Sequence, residues 1–211
     1  MEISAKRKLL VAAIIVLLWW LYAIGVMVAF NNNDGNEFRM AVLTILRFTP
    51  DLALIVLGAM LLGPKLGAFI GVIVLLGGVV AAGTGLFTPT PIWRFPAFAF
   101  AQYLAATVVA GLIITKKGSS YGMSMLAVFC ALVLGHFASL VVSSFGHGAT
   151  TLGERLFVVL MLTMAWVRYH GFGVIILSLI VPLVYLALGR VLAQPEDVHN
   201  DTQADTNSSI D

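Results

Sequence analysis

The chain has 211 residues, of which 60% are hydrophobic and 10% are charged, and its formal net charge is +2. Because soluble domains carry about 25% charged residues, this composition excludes an ordinary soluble domain and indicates a protein whose surface faces lipid. No basic run suits nucleic acid. The single cysteine, Cys130, excludes a disulfide within the chain and any CxxC metal or redox site.

Charges and turn residues divide the apolar sequence into segments. The first, Leu9–Phe30, is longer than the roughly 7–15-residue apolar region of a signal peptide, so we expect a retained span. The fold class predicted is an all-α membrane protein, a six-transmembrane-helix bundle at residues 9–192, followed by a disordered acidic cytoplasmic tail at residues 193–211. The predicted spans are Leu9–Phe30, Met40–Leu62, Leu66–Ala82, Ala97–Thr115, Tyr121–Phe145 and Gly171–Leu192, with a separate apolar helix at Glu154–Trp166.

The second span is predicted to be short or broken, because Pro50 interrupts it. Its uninterrupted part, Leu52–Leu62, would be about 16 Å long as a helix, whereas the hydrocarbon layer is about 30 Å thick. Either the helix continues upstream through Pro50, or its outer end stops partway and lines a cavity. Glu154–Trp166 is short in the same way, and two incomplete elements on one side indicate a pocket there.

Basic residues predict the orientation. If the spans alternate, all lysines of the chain lie on the same side as the N-terminus. An excess of Lys and Arg marks the cytoplasmic side. Both termini are therefore predicted to be cytoplasmic. The opposite side carries arginine and no lysine, and arginine makes planar, bidentate contacts to carboxylates and phosphates. The predicted cytoplasmic set is Lys6, Arg7, Lys8, Lys65, Lys116, Lys117 and Arg190, and the predicted outer set is Arg39, Arg47, Arg94, Arg155 and Arg168.

The stretch Thr49–Asp51 has a structural and a functional interpretation. Threonine is a common N-cap, proline suits the first helical position, and aspartate is favoured at the positive helix end. We therefore prefer a capping role for Asp51, which leaves Arg47 as the candidate for contacting an acidic ligand in an outward cavity. Thr151 to Glu154 fits a capping box in the same way.

Other outer residues are ligand candidates with competing explanations. Trp93 and Arg94 are either interface anchors or part of a loop that covers a pocket. Arg168 and His170 are well placed to line an outer cavity. The spacings of His136, His147 and His170 match no zinc motif, so no metal site is predicted, although an ionisable residue within a span such as His136 is a functional candidate.

Small residues recur at four-residue spacing in the third and fourth spans. Such faces let helices approach closely, either within the bundle or against a partner membrane protein, and the sequence leaves both possibilities open. The residues are Gly63, Gly67 and Gly71, then Ala97, Ala101 and Ala105.

The sequence LGAMLLGPKLGA at Leu57–Ala68 resembles the joint between the second and third spans in substrate-binding S components of energy-coupling factor (ECF) transporters of the biotin type. Phe48-Thr49-Pro50 is similar to uncharacterised S-component-like membrane families. The organisational resemblance extends over Leu9–Leu192.

This resemblance implies a multi-pass protein of the cell membrane with an outward-facing pocket. Such a protein would not be an enzyme and would bind no cofactor. The pocket would bind a vitamin or similar micronutrient, and the outer arginines favour a small anionic one. A membrane coupling subunit and cytoplasmic ATPases would drive release, since the chain has no P-loop of its own. Implied pocket residues are Arg47, Asp51, Trp93, Arg94, Arg168 and His170.

Two other functions stay open. One is a membrane-embedded enzyme that uses His136 or His170 with Glu154. The other is a non-catalytic membrane assembly factor that uses the glycine and alanine faces to bind a partner.

Overall fold

The computed structural model describes residues 4–31, 49–83, 96–145 and 150–193, with side-chain surroundings for 4–25, 49–76, 100–145 and 150–193. These ranges form six helices and contain no strand, which confirms the all-α class. Within these ranges, three segments are long and apolar enough to cross a membrane, namely Ala5–Gly25, Tyr121–Phe145 and Leu152–Leu192. The helices are α1 Ala5–Asn31, α2 Pro50–Leu62, α3 Pro64–Gly83, α4 Pro96–Lys117, α5 Tyr121–Phe145 and α6 Leu152–Leu192.

A tight joint connects α2 to α3. Gly63 has a φ of 89°, which glycine adopts without steric cost, and its N–H donates to the Ala59 carbonyl at 3.0 Å. Pro64 then starts α3, where a missing N–H costs nothing. Gly63 thus ends α2, and its carbonyl accepts from the Gly67 N–H at 3.0 Å at the start of α3.

Close contacts fix which helix ends lie together. Pro64 packs against Gly111 near the end of α4, and the α4–α5 turn follows at Gly118. The guanidinium of Arg155 lies 4.3 Å from the Phe145 ring, so α5 and α6 are antiparallel. Arg7 at the start of α1 donates to the Leu192 carbonyl at 2.7 Å. The predicted cytoplasmic lysines and arginines consequently lie at one end of the bundle; that this end is cytoplasmic stays a prediction.

Helix α2 lies at the centre of the bundle. All of its residues except Pro50 and Leu54 are buried, against α1, α3, α4, α5 and α6. Thirteen residues span about 20 Å, less than the hydrocarbon thickness of about 30 Å. A helix can start at that depth only where protein or water surrounds it, and here the neighbouring helices do so.

Glycines permit the close packing around this centre. A Cβ on Gly67 would lie 2.6 Å from the Ala59 Cα, and a Cβ on Gly71 would lie 3.4 Å from the Tyr103 Cβ. Gly67 and Gly71 thus pack within the bundle. Ala101 and Ala105 are half-buried on α4, whereas the side chain of Ala97 lies outside the described residues.

Helix α6 differs from the prediction. A separate helix at Glu154–Trp166 and a span that begins at Gly171 were expected, but one continuous helix of 41 residues runs from Leu152 to Leu192. Polar side chains at Arg168 and His170 do not break a helix, and Gly171 and Gly173 each cost only about 1 kcal/mol. At 1.5 Å per residue the helix is about 61 Å long, roughly twice the hydrocarbon thickness.

Candidate functional site

Asp51, the second residue of α2, lies deep in the bundle. It is 5% exposed and twelve residues, or about 18 Å, from the Gly63 joint. If the joint lies at the membrane surface, as Lys65 suggests, this carboxylate lies within the hydrocarbon layer. Ionisable residues at such a depth are costly and mark functional sites.

Among the described residues, a tyrosine donates to this carboxylate. The Tyr103 hydroxyl of α4 donates to Asp51 Oδ2 at 3.1 Å, and the backbone N–H groups of Leu52 and Asp51 lie beside the carboxylate. Because these N–H groups belong to the start of α2, the positive end of the helix dipole also favours a negative charge here. Tyr103 is itself buried and contacts Trp19 of α1.

Thr49 occupies the predicted N-cap position, but its side chain makes no capping hydrogen bond. Its φ of 45° places it in the left-handed region, where it is the one non-glycine residue of the described ranges. A β-branched residue is strained in that conformation. Its hydroxyl is buried and has no hydrogen-bond partner. Thr49 occupies the expected position, and α2 does begin at Pro50. The expectation that the Thr49 side chain caps the helix is wrong, because it makes no hydrogen bond there.

Three aromatic rings from α5 and α6 form the second half of the site. His136 lies 4.7 Å from Trp166 and 5.8 Å from His170, measured between ring centroids, and the two histidine rings are nearly parallel. Gln102 of α4 places Nε2 3.0 Å from His136 Nδ1, so the amide N–H donates to the imidazole. The indole Nε1 of Trp166 is buried without a hydrogen-bond partner.

The two halves meet because Gln102 and Tyr103 are neighbours on α4. Asp51 also interacts electrostatically with His170 and with Tyr22 of α1. Side chains from five helices thus converge inside the bundle, in the half that is opposite the lysines. We call this set the polar cluster; its members are Trp19, Tyr22, Asp51, Gln102, Tyr103, His136, Trp166 and His170.

The polar cluster includes two of the six predicted ligand-binding residues, Asp51 and His170. Arg168 is exposed on α6. Arg47, Trp93 and Arg94 lie outside the described residues.

Sequence reasoning missed most of the cluster. The one usable signal was Gln102, a polar residue within an apolar span. Trp19, Tyr22, Tyr103 and Trp166 carried no such signal, since aromatic residues are common in membrane helices.

Glu154 does not belong to the cluster. It precedes His170 by sixteen residues of one helix, or about 24 Å. The predicted capping box is confirmed, because Thr151 Oγ1 accepts from the Glu154 N–H at 3.2 Å and Glu154 Oε2 accepts from the Thr151 N–H at 3.0 Å. The enzyme hypothesis that pairs Glu154 with a histidine lacks the hydrogen-bond reach such partners need.

The cluster offers a carboxylate, two imidazoles, hydroxyls and an indole N–H beside aromatic faces. Such a set can hydrogen-bond and stack on a small polar solute. Within the described ranges, no three histidine, cysteine, aspartate or glutamate residues come together as metal ligands would.

Comparisons with protein-family models, curated proteins and solved structures found no match to this chain. A functional proposal therefore depends on the polar cluster and on the sequence resemblance at the α2–α3 joint.

Proposed function

We propose that the chain is a membrane-embedded binding subunit, similar to an S component, for uptake of a small polar micronutrient. The observation that carries the proposal is the convergence of five helices on the polar cluster around Asp51. A cluster that only stabilised the bundle would be expected to satisfy its own polar atoms. Here the hydroxyl of Tyr22 and the indole of Trp166 have no hydrogen-bond partner, and neither has the hydroxyl of Thr49, which precedes Asp51 by two residues.

Helix lengths support a binding position just beyond the N-terminal end of α2. Asp51, the second residue of α2, is about 18 Å from the Gly63 joint, which is about 12 Å short of the hydrocarbon thickness. Helix α5 continues nine residues beyond His136, or about 13 Å, to Phe145. A solute that rests on the start of α2 would have α5 and α6 as walls.

The proposed partners follow from the resemblance. A membrane coupling subunit and cytoplasmic ATPases would act at the lysine-bearing end, remote from the polar cluster. Solute binding and energy input would then use opposite ends of the bundle, and the Gly63–Pro64 joint would lie at the lysine-bearing end.

The proposal is tested by purifying the full chain in mild detergent and identifying any retained small molecule by mass spectrometry. Its affinity is then measured by tryptophan fluorescence. We expect His170→Ala to weaken binding at least tenfold. Tyr169→Ala is the matched control, because Tyr169 is an exposed neighbour on the same helix, and it should bind like the natural chain.

A folded protein that retains and binds no small molecule would contradict the proposal. If that protein instead co-purified with a stoichiometric membrane partner, the assembly-factor hypothesis would replace it.

A further inference from the structure

A groove separate from the polar cluster lies between α1 and α3. Both helices begin at the lysine-bearing end of the bundle, so they run parallel along the groove. Its volume is about 450 Å³, and the described side chains that line it are all hydrophobic. Along α1 it extends from Leu9 to Trp20, and along α3 from Leu66 to Ile73.

The groove has a packed floor and an exposed rim. Ile70 of α3, which lines it, is buried against α2: a Cβ on Gly58 would lie 3.0 Å from Ile15 Cδ1 and 3.9 Å from Ile70 Cδ1. On the rim, Leu9 is 73% exposed and Phe69 is 59% exposed. The groove therefore opens away from the bundle, toward lipid.

Lysines lie at one end of the groove, on both of its sides. Lys8 precedes Ala12 by four residues and Lys65 precedes Phe69 by four, so each lysine shares a helix face with a residue of the groove wall. A lysine stem can cover apolar surface while its ammonium group stays in water. This end of the groove is consequently positively charged, whereas its described walls are apolar.

The dimensions of the groove suit an acyl chain. From Leu9 to Trp20, α1 rises about 16 Å, which is half of the hydrocarbon thickness of about 30 Å. The groove thus follows one leaflet from its surface toward the bilayer centre. A helix is about 10 Å across, so 16 Å of it would occupy about 1,250 Å³, nearly three times the groove volume of about 450 Å³. A neighbouring helix is therefore too wide to enter.

We propose that this groove binds an anionic phospholipid, with one acyl chain between α1 and α3 and the headgroup phosphate at Lys8 and Lys65. A lysine near the membrane surface strengthens the attraction to anionic lipid about fivefold. A zwitterionic lipid with the same chains would make the same apolar contacts with much less of this attraction. No member of the polar cluster lines the groove, so the lipid site does not depend on solute binding.

The test uses lipids that carry bromine on their acyl chains, because bromine quenches tryptophan fluorescence on contact and Trp20 lines the groove. The full chain is reconstituted into phosphatidylcholine vesicles that contain increasing fractions of brominated phosphatidylglycerol or of brominated phosphatidylcholine. We expect half-maximal quenching at a fraction of phosphatidylglycerol at least fivefold lower than that of phosphatidylcholine. Trp20→Phe should abolish this difference.

Two pairs of substitutions separate the groove from the general charge of this end. Lys8→Gln combined with Lys65→Gln should reduce the preference for phosphatidylglycerol at least fivefold. Lys116→Gln combined with Lys117→Gln is the matched control, since it removes two positive charges from the same end of the bundle but at the end of α4. This control should retain the preference.

The comparison of the two lipids on the natural chain needs no variant, so it decides the question even if a variant fails to fold. Equal quenching by both lipids would overturn the proposal, as would a preference that survives in Trp20→Phe. Equal loss of the preference in the two lysine pairs would also overturn it, because the attraction would then belong to the whole end. If a co-purifying membrane protein protected Trp20 from both lipids, a protein partner would occupy this face in place of a lipid.

Discussion

The contact between Gly111 of α4 and the α2–α3 joint yields a prediction that the geometry makes quantitative. A Cβ at position 111 would lie 2.6 Å from Pro64 Cβ, 2.7 Å from its Cα and 2.8 Å from its nitrogen. Favourable contacts between carbon atoms begin near 3.5 Å. The overlap is thus close to 1 Å against a ring and backbone that cannot rotate away. Gly111→Ala should therefore push α4 away from the joint.

The size of the effect follows from two opposing terms. Overpacking of this kind costs up to about 3 kcal/mol, and alanine is favoured over glycine in a helix by about 1 kcal/mol. The net loss of unfolding free energy is about 2 kcal/mol. For a chain of this length it corresponds to a fall in Tm of roughly 4–8 °C.

Gly25→Ala is the matched control. Nothing lies within 4 Å of a Cβ at Gly25 in α1, so only the helix-propensity gain remains and the Tm should stay constant or rise. Both variants are unfolded in the same detergent at one scan rate and followed by tryptophan fluorescence. Equal Tm values for the two variants would refute the packing of Pro64 on α4. If Gly111→Ala kept its Tm but lost a co-purifying protein, the small residues would form a partner face instead.

Three further predictions test the site and the topology. Tyr103→Phe should lower the unfolding free energy by about 1–3 kcal/mol, because it removes a donor to a buried carboxylate. In an Asp51→Asn background the same substitution should cost less than about 1 kcal/mol. Thermal unfolding of the two single variants and the double variant measures this difference. In a cysteine-free background, Lys117→Cys should react with a membrane-impermeant maleimide from the cytoplasmic side and Thr150→Cys from the outer side; reaction of both from one side would contradict the topology. Thr151→Ala should destabilise the first turn of α6 by about 1 kcal/mol, which hydrogen exchange of the amides in that turn would detect.

Local composition was enough to predict the helices other than α6. An apolar run in lipid must satisfy its own backbone, which leaves the helix as the structure for each run. The turn at Gly63–Pro64 follows from the conformational preferences of two residues. The grouping of Lys65, Lys117 and Arg190 at one end of the bundle follows from alternating helices with short connections.

Contacts between distant residues were beyond such reasoning. Tyr103 reaches Asp51 over 52 positions, and His136 meets His170 over 34, and no periodicity encodes either pairing. The break predicted between Trp166 and Gly171 was wrong for a related reason. Polar residues there were interpreted as a loop, whereas they remain helical and direct His170 into the polar cluster beside His136.

The role of Asp51 turns on a comparison of magnitudes. A helix cap contributes about 1 kcal/mol, and the dipole adds at most about 2 kcal/mol in a partly buried site. The effective cost of burying an ionised carboxylate is several kcal/mol. If Asp51 is ionised, capping alone leaves a deficit, and the strained backbone of Thr49 adds about 1–3 kcal/mol; a protonated carboxyl group would avoid most of this cost. Under the proposed function the carboxylate is ionised, and the bound solute supplies the missing compensation.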